Sequence, residues 1–327
     1  MTISILGSGS WSTAIADLLA EKEKVLIYAR DEKVVSSINK DHINKKYFPN
    51  ININENIKAT SNLKEIFENK YIVNGIPTQQ VRNVLNKANE FLTDDHVIIN
   101  LSKGLELNTH KRISEIFYEF NKNISFVALS GPSHAEEVIL KMPTTVVAAS
   151  KDLNLAIEVQ NIFVRDYFRV YSSNDLIGVE LGGAIKNILA FGIGIAQGLG
   201  YGDNAKAALI TRGIHEMSKF ACEFGAEFKT INGLAGVGDL IVTATSKHSR
   251  NNRAGILIGE GLSIDELSDK INMVVEGIPT TRSVYELAKN KNIELPITNE
   301  IYQVLFNNKD CKDSVNDLMM RDIKSEF

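Results

Sequence analysis

Hydrophobic and polar positions divide this chain into two halves with different periods. In the first half, short apolar runs recur at Thr2–Leu6, Lys24–Tyr28, Tyr71–Asn74, His96–Leu101 and Ser125–Leu129. Each ends in a turn and passes into residues with helical spacing, as at Asp31–Lys40. Such alternation of β-rich runs with helices predicts a parallel, doubly wound sheet. Two further runs, Thr144–Ala149 and Phe168–Tyr171, flank a helix and complete this unit near Ser173. Beyond Asn174 the strands stop. Gly178–Leu199, Asn204–Phe224, Ser263–Ile271, Thr280–Asn290, Asn299–Asn307 and Ser314–Lys324 carry the helical period instead. A chain of 327 residues exceeds the size at which one core keeps growing, so the pattern predicts two domains, residues 1–175 and 176–327.

The turns between strand and helix are where an open α/β sheet collects its chemistry. The first reads Gly7-Ser8-Gly9-Ser10-Trp11-Ser12. Gly7 and Gly9 match the first two glycines of a dinucleotide fingerprint, which lets backbone approach a pyrophosphate at a helix N-terminus. The expected architecture is therefore an α/β Rossmann-type doubly wound sheet followed by an all-α C-terminal domain. Ser12 stands where the third glycine would sit, which predicts a slightly wider helix–strand fit. A short GxG is also compatible with a plain structural turn. Arg30, at the end of the second run, suits a 2′-phosphate and so NADP(H), although a solvated arginine is the other reading and Asp31 follows it directly. Asp41–Ile57, rich in asparagine, reads as a loop whose composition carries no chemistry. Lys103 lies on a tight turn at a strand end, where a catalytic and a surface lysine are equally expected. Gly131, Ser133 and Ala135 open a helix, where backbone amides and a hydroxyl suit a cofactor or substrate oxygen.

In the helical half, Leu181–Gly202 holds a single charge, Lys186. An ammonium group in apolar surroundings loses water, which lowers its pKa and fits it for proton transfer near neutral pH. The alternative is a lysine that snorkels its head to the surface. Gly182, Gly183 and Asn187 beside it favour close backbone approach and a ligand-facing amide. Gly233–Leu240 ends a glycine-rich turn in Asp239, which could pair with Lys186, bond a substrate hydroxyl or cap a helix. Ser246–Arg253, SKHSRNNR, is a basic turn before a helix; Arg250 can clasp a phosphate, with Ser249 and Asn251 as added donors, or the segment is a solvated loop. His215, among Ile214, Met217 and Phe220, reads as a packed core histidine.

Composition narrows the class. Apolar content of 44% and charged content of 23% fit a globular protein, and a net charge of −4 gives no reason to expect nucleic acid. The two cysteines, Cys222 and Cys311, and the histidines show no metal spacing, and a reducing compartment fits best. The N-terminus starts a strand at once, so a secretion signal is not expected. Ile188–Ala196, the longest uninterrupted apolar stretch, falls far short of the roughly 20 residues that span a bilayer, so no integral membrane segment is expected.

Several stretches together resemble the bacterial-type NAD(P)-dependent glycerol-3-phosphate dehydrogenases: GSGSWSTA, LSKGLE, SGPSHAEE, LGGAIKNILAFGIGIAQGLGYG, GLAGVGDLIVTATSKHSRNNRAG, VVEG and LPITNEIYQVL. The resemblance covers nearly the whole chain. It implies Lys186 as proton donor or acceptor, and Lys103 in contact with cofactor and substrate. It implies that Gly131, Ser133, Asp239, Ser249, Arg250 and Asn251 bind glycerol 3-phosphate or dihydroxyacetone phosphate. Ser10, Trp11, Arg30, Ala135, Arg250, Val274 and Glu276 map to positions for NADP(H) or NAD(H). Trp11, where the family often has Tyr or Phe, and Ser12 depart from the family pattern and bear on cofactor affinity. A cytoplasmic homodimer acting in glycerophospholipid synthesis is the implied setting. The rivals are a related dehydrogenase for another hydroxyacid or sugar phosphate, and a nucleotide-binding sensor without catalysis.

Overall fold

A computed structural model describes residues 1–271, 274–323, 325 and 326, apart from the side chains of residues 268 and 269. The chain forms two compact units: Met1–Lys103 with Lys111–Glu180, and Gly104–His110 with Leu181–Phe327. The expected boundary at residue 175 thus moves to Glu180, and a short piece of the first half packs with the second. Within the second unit that piece is held by Ser283 Oγ, which donates to Glu106 O at 3.1 Å.

The first unit is built on one eight-stranded sheet of order β3-β2-β1-β4-β5-β6-β7-β8. Its strands are β1 (Thr2–Leu6), β2 (Lys24–Tyr28), β3 (Ile57–Thr60), β4 (Tyr71–Asn74), β5 (Val97–Asn100), β6 (Ser125–Ser130), β7 (Thr144–Ala149) and β8 (Phe168–Ser173). Between them run α1 (Ser10–Ala20), α2 (Glu32–Asp41), α3 (Leu63–Ile66), α4 (Val81–Ala88), α5 (Ile113–Phe120), α6 (Ala135–Val138) and α7 (Leu153–Phe163). Pairing is parallel except between β6 and β7, so β7 and β8 run against the rest and the sheet is mixed rather than wholly parallel. The central strands β4 and β5 are buried at every residue, as strands covered on both faces must be. Strand order reverses direction at β1, between β2 and β4, which is the switch point where such sheets open a ligand crevice.

Ser12 is fully buried, and its hydroxyl donates to Gly75 O at 3.2 Å. The room it takes comes from Gly75, where a Cβ would lie 2.1 Å from Ser12 Oγ. The missing third glycine is thus offset by a glycine on the neighbouring turn. Glu180 closes the first unit. Its buried carboxylate accepts from Arg112 Nη1 at 2.7 Å, Ser114 N at 2.8 Å and Ser114 Oγ at 2.6 Å. Burial raises its pKa, opposed by the Arg112 guanidinium and the Ser114 donors.

The second unit is helical: α8 (Leu176–Gly198, from Leu181 onward), α9 (Asp203–Glu223), α10 (Phe228–Ile231), α11 (Asp239–Thr245), α12 (Arg250–Gly259), α13 (Ile264–Lys270), α14 (Gly277–Asn290), α15 (Pro296–Asn307) and α16 (Cys311–Met319). The final helix stops at Met319, and Lys324 lies outside the described residues. Among the described residues α8 is long and apolar enough to cross a membrane, with hydropathy 1.5, yet 83% of that window is buried inside the protein. Apart from Glu180, Lys186 and Asn187 it is apolar on nearly every side, as a core helix is.

On α9 the buried position is Glu216, while His215 faces solvent; the core-histidine expectation is wrong by one residue of helical phase. Glu216 accepts from Ile297 N at 2.6 Å and from Thr298 N and Oγ1 at 3.1 Å, and so caps α15, whose first turn also carries Pro296. Burial pushes its pKa up to about 7 from 4.5, against those donors, which pull it down. A raised folded pKa means that the proton binds more tightly in the folded state. The resulting stability is present in full below pH 4.5 and is lost as pH rises toward 7. Urea unfolding at pH 5 and pH 8 should therefore show wild type losing on the order of 2–3 kcal/mol relative to Glu216→Gln across that interval; a constant difference would contradict the titration.

Candidate active site

Each unit carries part of the predicted chemistry. In the first, β1 runs into Gly7, whose φ of +104° makes the tight turn, and α1 begins after Gly9. No side chain caps α1 and no acidic residue stands in its first turn. A Cβ on Gly9 would meet nothing within 4 Å, so the helix start is open on the side where an anion would lie. These features fit a dinucleotide pyrophosphate. Ser10 and Trp11 are half-buried beside the turn. Arg30 is exposed at the end of β2, and the Asp31 carboxylate is engaged as the cap of α2, accepting from Lys33 N at 2.9 Å.

At the ends of β4 and β5 three polar side chains interlock. Asn74 Nδ2 donates to Asn100 Oδ1 at 2.8 Å, Asn100 Nδ2 to Ser102 O at 3.0 Å, and Ser102 Oγ to Ile76 O at 2.5 Å. They fix the backbone that presents Lys103. Its Nζ donates to Gly131 O at 3.1 Å, and Ser133 Oγ donates to the same carbonyl at 2.9 Å. Gly131 has φ +148°, and a Cβ there would lie 2.9 Å from Val146 Cα. Ala135, buried, starts the short α6. Lys103, Gly131 and Ser133 thus form one cluster.

In the second unit Lys186 is buried and does not snorkel. Its Nζ donates to Asp239 Oδ1 at 2.8 Å and to Thr243 Oγ1 at 2.7 Å. Exposure of the three residues is 6%, 2% and 4%. Thr243 Oγ1 in turn donates to Asp239 O at 2.6 Å. A carboxylate at this distance favours the ammonium form, which counteracts the loss of water on which the sequence argument rested. Sequence reasoning missed Thr243; its spacing of four from Asp239 on one helix was the available signal.

The approach of these groups depends on missing side chains. A Cβ at Gly182, one turn before Lys186, would lie 2.8 Å from Ala235 O, in the π-helical turn Leu234–Gly238 that delivers Asp239. Further along α8, a Cβ at Gly194 would lie 2.2 Å from Asn252 O, and one at Gly255 of α12 would lie 2.0 Å from Phe191 O. The two helices touch backbone to backbone, which fixes Ser249 and Arg250 at the start of α12 relative to Lys186 on α8.

Ser249 is the N-cap of α12, its Oγ accepting from Asn252 N at 3.2 Å. Arg250 is the first helical residue and half-buried. Asn251, expected to face substrate, instead donates through Nδ2 to Asn187 Oδ1 at 2.9 Å and accepts from Gly277 N at 2.9 Å. It ties α8, α12 and the start of α14 together. Glu276 is the N-cap residue of α14, and Val274 is exposed.

Comparison with known proteins gives the family. Residues 2–156 match the family described as NAD-dependent glycerol-3-phosphate dehydrogenase N-terminus, and residues 175–316 match its C-terminus. The chain belongs to the NAD-dependent glycerol-3-phosphate dehydrogenase family. It is 50% identical to "Glycerol-3-phosphate dehydrogenase [NAD(P)+]" of Halothermothrix orenii, over 99% of this chain and 96% of that protein. It is 48% identical to the protein of the same name from Staphylococcus haemolyticus, over 99% of each. The crystal structure of glycerol-3-phosphate dehydrogenase from Coxiella burnetii superposes with a TM-score of 0.94 at 36% identity, covering 98% of this chain and 99% of that one.

The buried pair carries its own prediction. Asp239→Asn leaves an ammonium without its counter-charge and should cost about 3–5 kcal/mol in urea unfolding. The double variant Lys186→Met/Asp239→Leu, which removes both charges, should recover much of that loss. A double variant as unstable as Asp239→Asn would show that packing rather than charge balance sets the cost.

Proposed function

We propose that this chain interconverts dihydroxyacetone phosphate and sn-glycerol 3-phosphate with NAD(P)H, supplying the backbone of glycerophospholipids. The observation that carries the reading is the buried Lys186–Asp239–Thr243 group in a member of this family. Bound NAD(P)H supplies the hydride that reduces the C2 carbonyl carbon. Lys186 gives its proton to the C2 oxygen as negative charge develops there, and Asp239 holds the lysine protonated and aimed. Thr243 fixes the Asp239–Lys186 geometry from the next turn of α11. In the reverse direction Lys186 takes the proton back.

Arg250 and the backbone amides at the start of α12 hold the substrate phosphate, with Ser249 as a further hydroxyl partner. Asn251 serves this site by position, since both ends of its amide bond Asn187 and Gly277. Lys103, with Gly131 and Ser133, contacts cofactor and substrate oxygen. Gly7, Gly9, Ser10 and Trp11 hold the dinucleotide, with Ala135, Val274 and Glu276 as further cofactor positions. Arg30 takes the 2′-phosphate of NADPH; the engagement of Asp31 as a helix cap supports that choice. The two domains divide the work, dinucleotide binding in the first unit and proton transfer in the second. A cytoplasmic homodimer completes the reading: the family resemblance supports the dimer, and two cysteines without a disulfide, Cys222 exposed and Cys311 half-buried, suit a reducing compartment.

Nicotinamide oxidation with dihydroxyacetone phosphate, measured in parallel with NADPH and NADH, tests the proposal. Wild type should turn over, and Lys186→Ala should lower kcat by about 10²–10⁴-fold. Arg250→Ala should instead raise the KM for dihydroxyacetone phosphate by about 10–100-fold, and Arg30→Ala should cut the NADPH preference by about tenfold. NADPH binding without turnover in wild type would contradict the proposal and favour a nucleotide sensor.

A further inference from the structure

The segment between α2 and β3, which composition suggested to be featureless, is stitched along the length of α1. Asn56 Nδ2 donates to Ala20 O at 3.1 Å at the C-terminal end of that helix, and Asn54 N donates to Asp17 Oδ1 at 2.8 Å nearer its middle. At the N-terminal end stands Asn44, fully buried. Its Nδ2 donates to Ser8 O at 2.9 Å and to Thr13 Oγ1 at 2.8 Å. Thr13, also fully buried, passes its hydroxyl hydrogen to Gly9 O at 2.9 Å. One amide therefore fixes, directly and through one hydroxyl, the two consecutive carbonyls of the glycine turn.

In a trans peptide the carbonyl and the following N–H point to opposite sides of the plane. Drawing Ser8 O and Gly9 O toward Asn44 and Thr13 turns the N–H groups of Gly9 and Ser10 the other way, toward the open start of α1. Those are the donors a pyrophosphate needs. Asn44 is itself held firmly. Its carbonyl accepts from Tyr47 N at 3.1 Å and Phe48 N at 2.8 Å, and Ile53 N donates to His42 O at 2.8 Å across the same loop. Phe48 and Ile53 are buried in the core of the first unit, which anchors the segment.

We infer that Asn44 is a positioning residue for cofactor binding, acting with Thr13 by setting the peptide planes of the Ser8-Gly9-Ser10 turn. The inference rests on the reading of that turn as the dinucleotide site. Trp11, the only tryptophan in the chain, lies in the first turn of α1 beside the glycine turn, so its fluorescence should report binding. Titration with NADPH should give a Kd raised by about tenfold or more in Asn44→Ala, and further in Asn44→Asp, which keeps the shape but loses both donors and adds a negative charge. The KM for dihydroxyacetone phosphate should stay within about twofold. Thr13→Val should weaken NADPH binding in the same way, whereas Thr13→Ser, which keeps the hydroxyl, should restore it; this pair decides the matter even where Asn44 variants fold poorly. A merely structural role would lower the melting temperature and leave the Kd of the folded fraction unchanged. Wild-type Kd values in both Asn44→Ala and Thr13→Val would overturn the inference alone. A wild type that binds neither NADPH nor NADH would overturn the reading of the turn, and the inference with it.

Discussion

Keeping one ammonium charged inside a protein core is the constraint on which the second unit depends. Lys186 sits on a helix buried over most of its length, where an unpaired charge would cost several kcal/mol. Asp239 supplies the opposite charge, and it can do so only if two backbones come closer than side chains would allow. Gly182 on α8 makes that approach possible, because a side chain there would strike Ala235 O in the π-helical turn before Asp239. The same helix carries Gly194, against which α12 packs backbone to backbone. Lys186 and the start of α12, proposed above as proton donor and phosphate site, are thus held in one rigid frame. That suits a reaction in which a proton and a phosphate must be placed together.

The first unit solves a different problem, the placement of backbone dipoles. Two of the turns that its sheet delivers at strand ends are fixed by short polar side chains rather than by ion pairs. Asn74, Asn100 and Ser102 set the turn of Lys103, while Asn44 and Thr13 set the glycine turn. Amides suit this task because each carries a donor and an acceptor of fixed geometry and no charge to compete with a bound phosphate.

Most of this architecture was legible in the sequence, because strand runs and helical periods are local signals. Seven of the eight strands stood where short apolar runs predicted; β3, at Ile57–Thr60, was lost at the end of a polar segment. The reversed direction of β7 and β8 was invisible because strand direction is decided by distant pairing, not by residue pattern. On α9 the periodic stripe pointed to His215, whereas the buried position belongs to Glu216, whose carboxylate made it look like a surface residue until its donors on α15 were in place. Lys186 stood out as a lone charge in an apolar run, and its pairing with Asp239 was one of three readings open to that carboxylate. Thr243 did not stand out, since a threonine on a helix carries no signal until its neighbour is known. Asparagine in the Asp41–Ile57 segment passed for composition bias for the same reason: an amide acquires meaning only from the carbonyl it reaches.

In the proposed mechanism Lys186 delivers the proton while Asp239 and Thr243 only hold it. The most direct measurement is a single-turnover rate for dihydroxyacetone phosphate reduction by Lys186→Ala with both ligands saturating, with and without added small primary amines. The rate should fall far below wild type and rise with amine concentration, because a free ammonium can enter the space left by the side chain and give the proton in its place. A wild-type single-turnover rate in Lys186→Ala without any amine would contradict that mechanism.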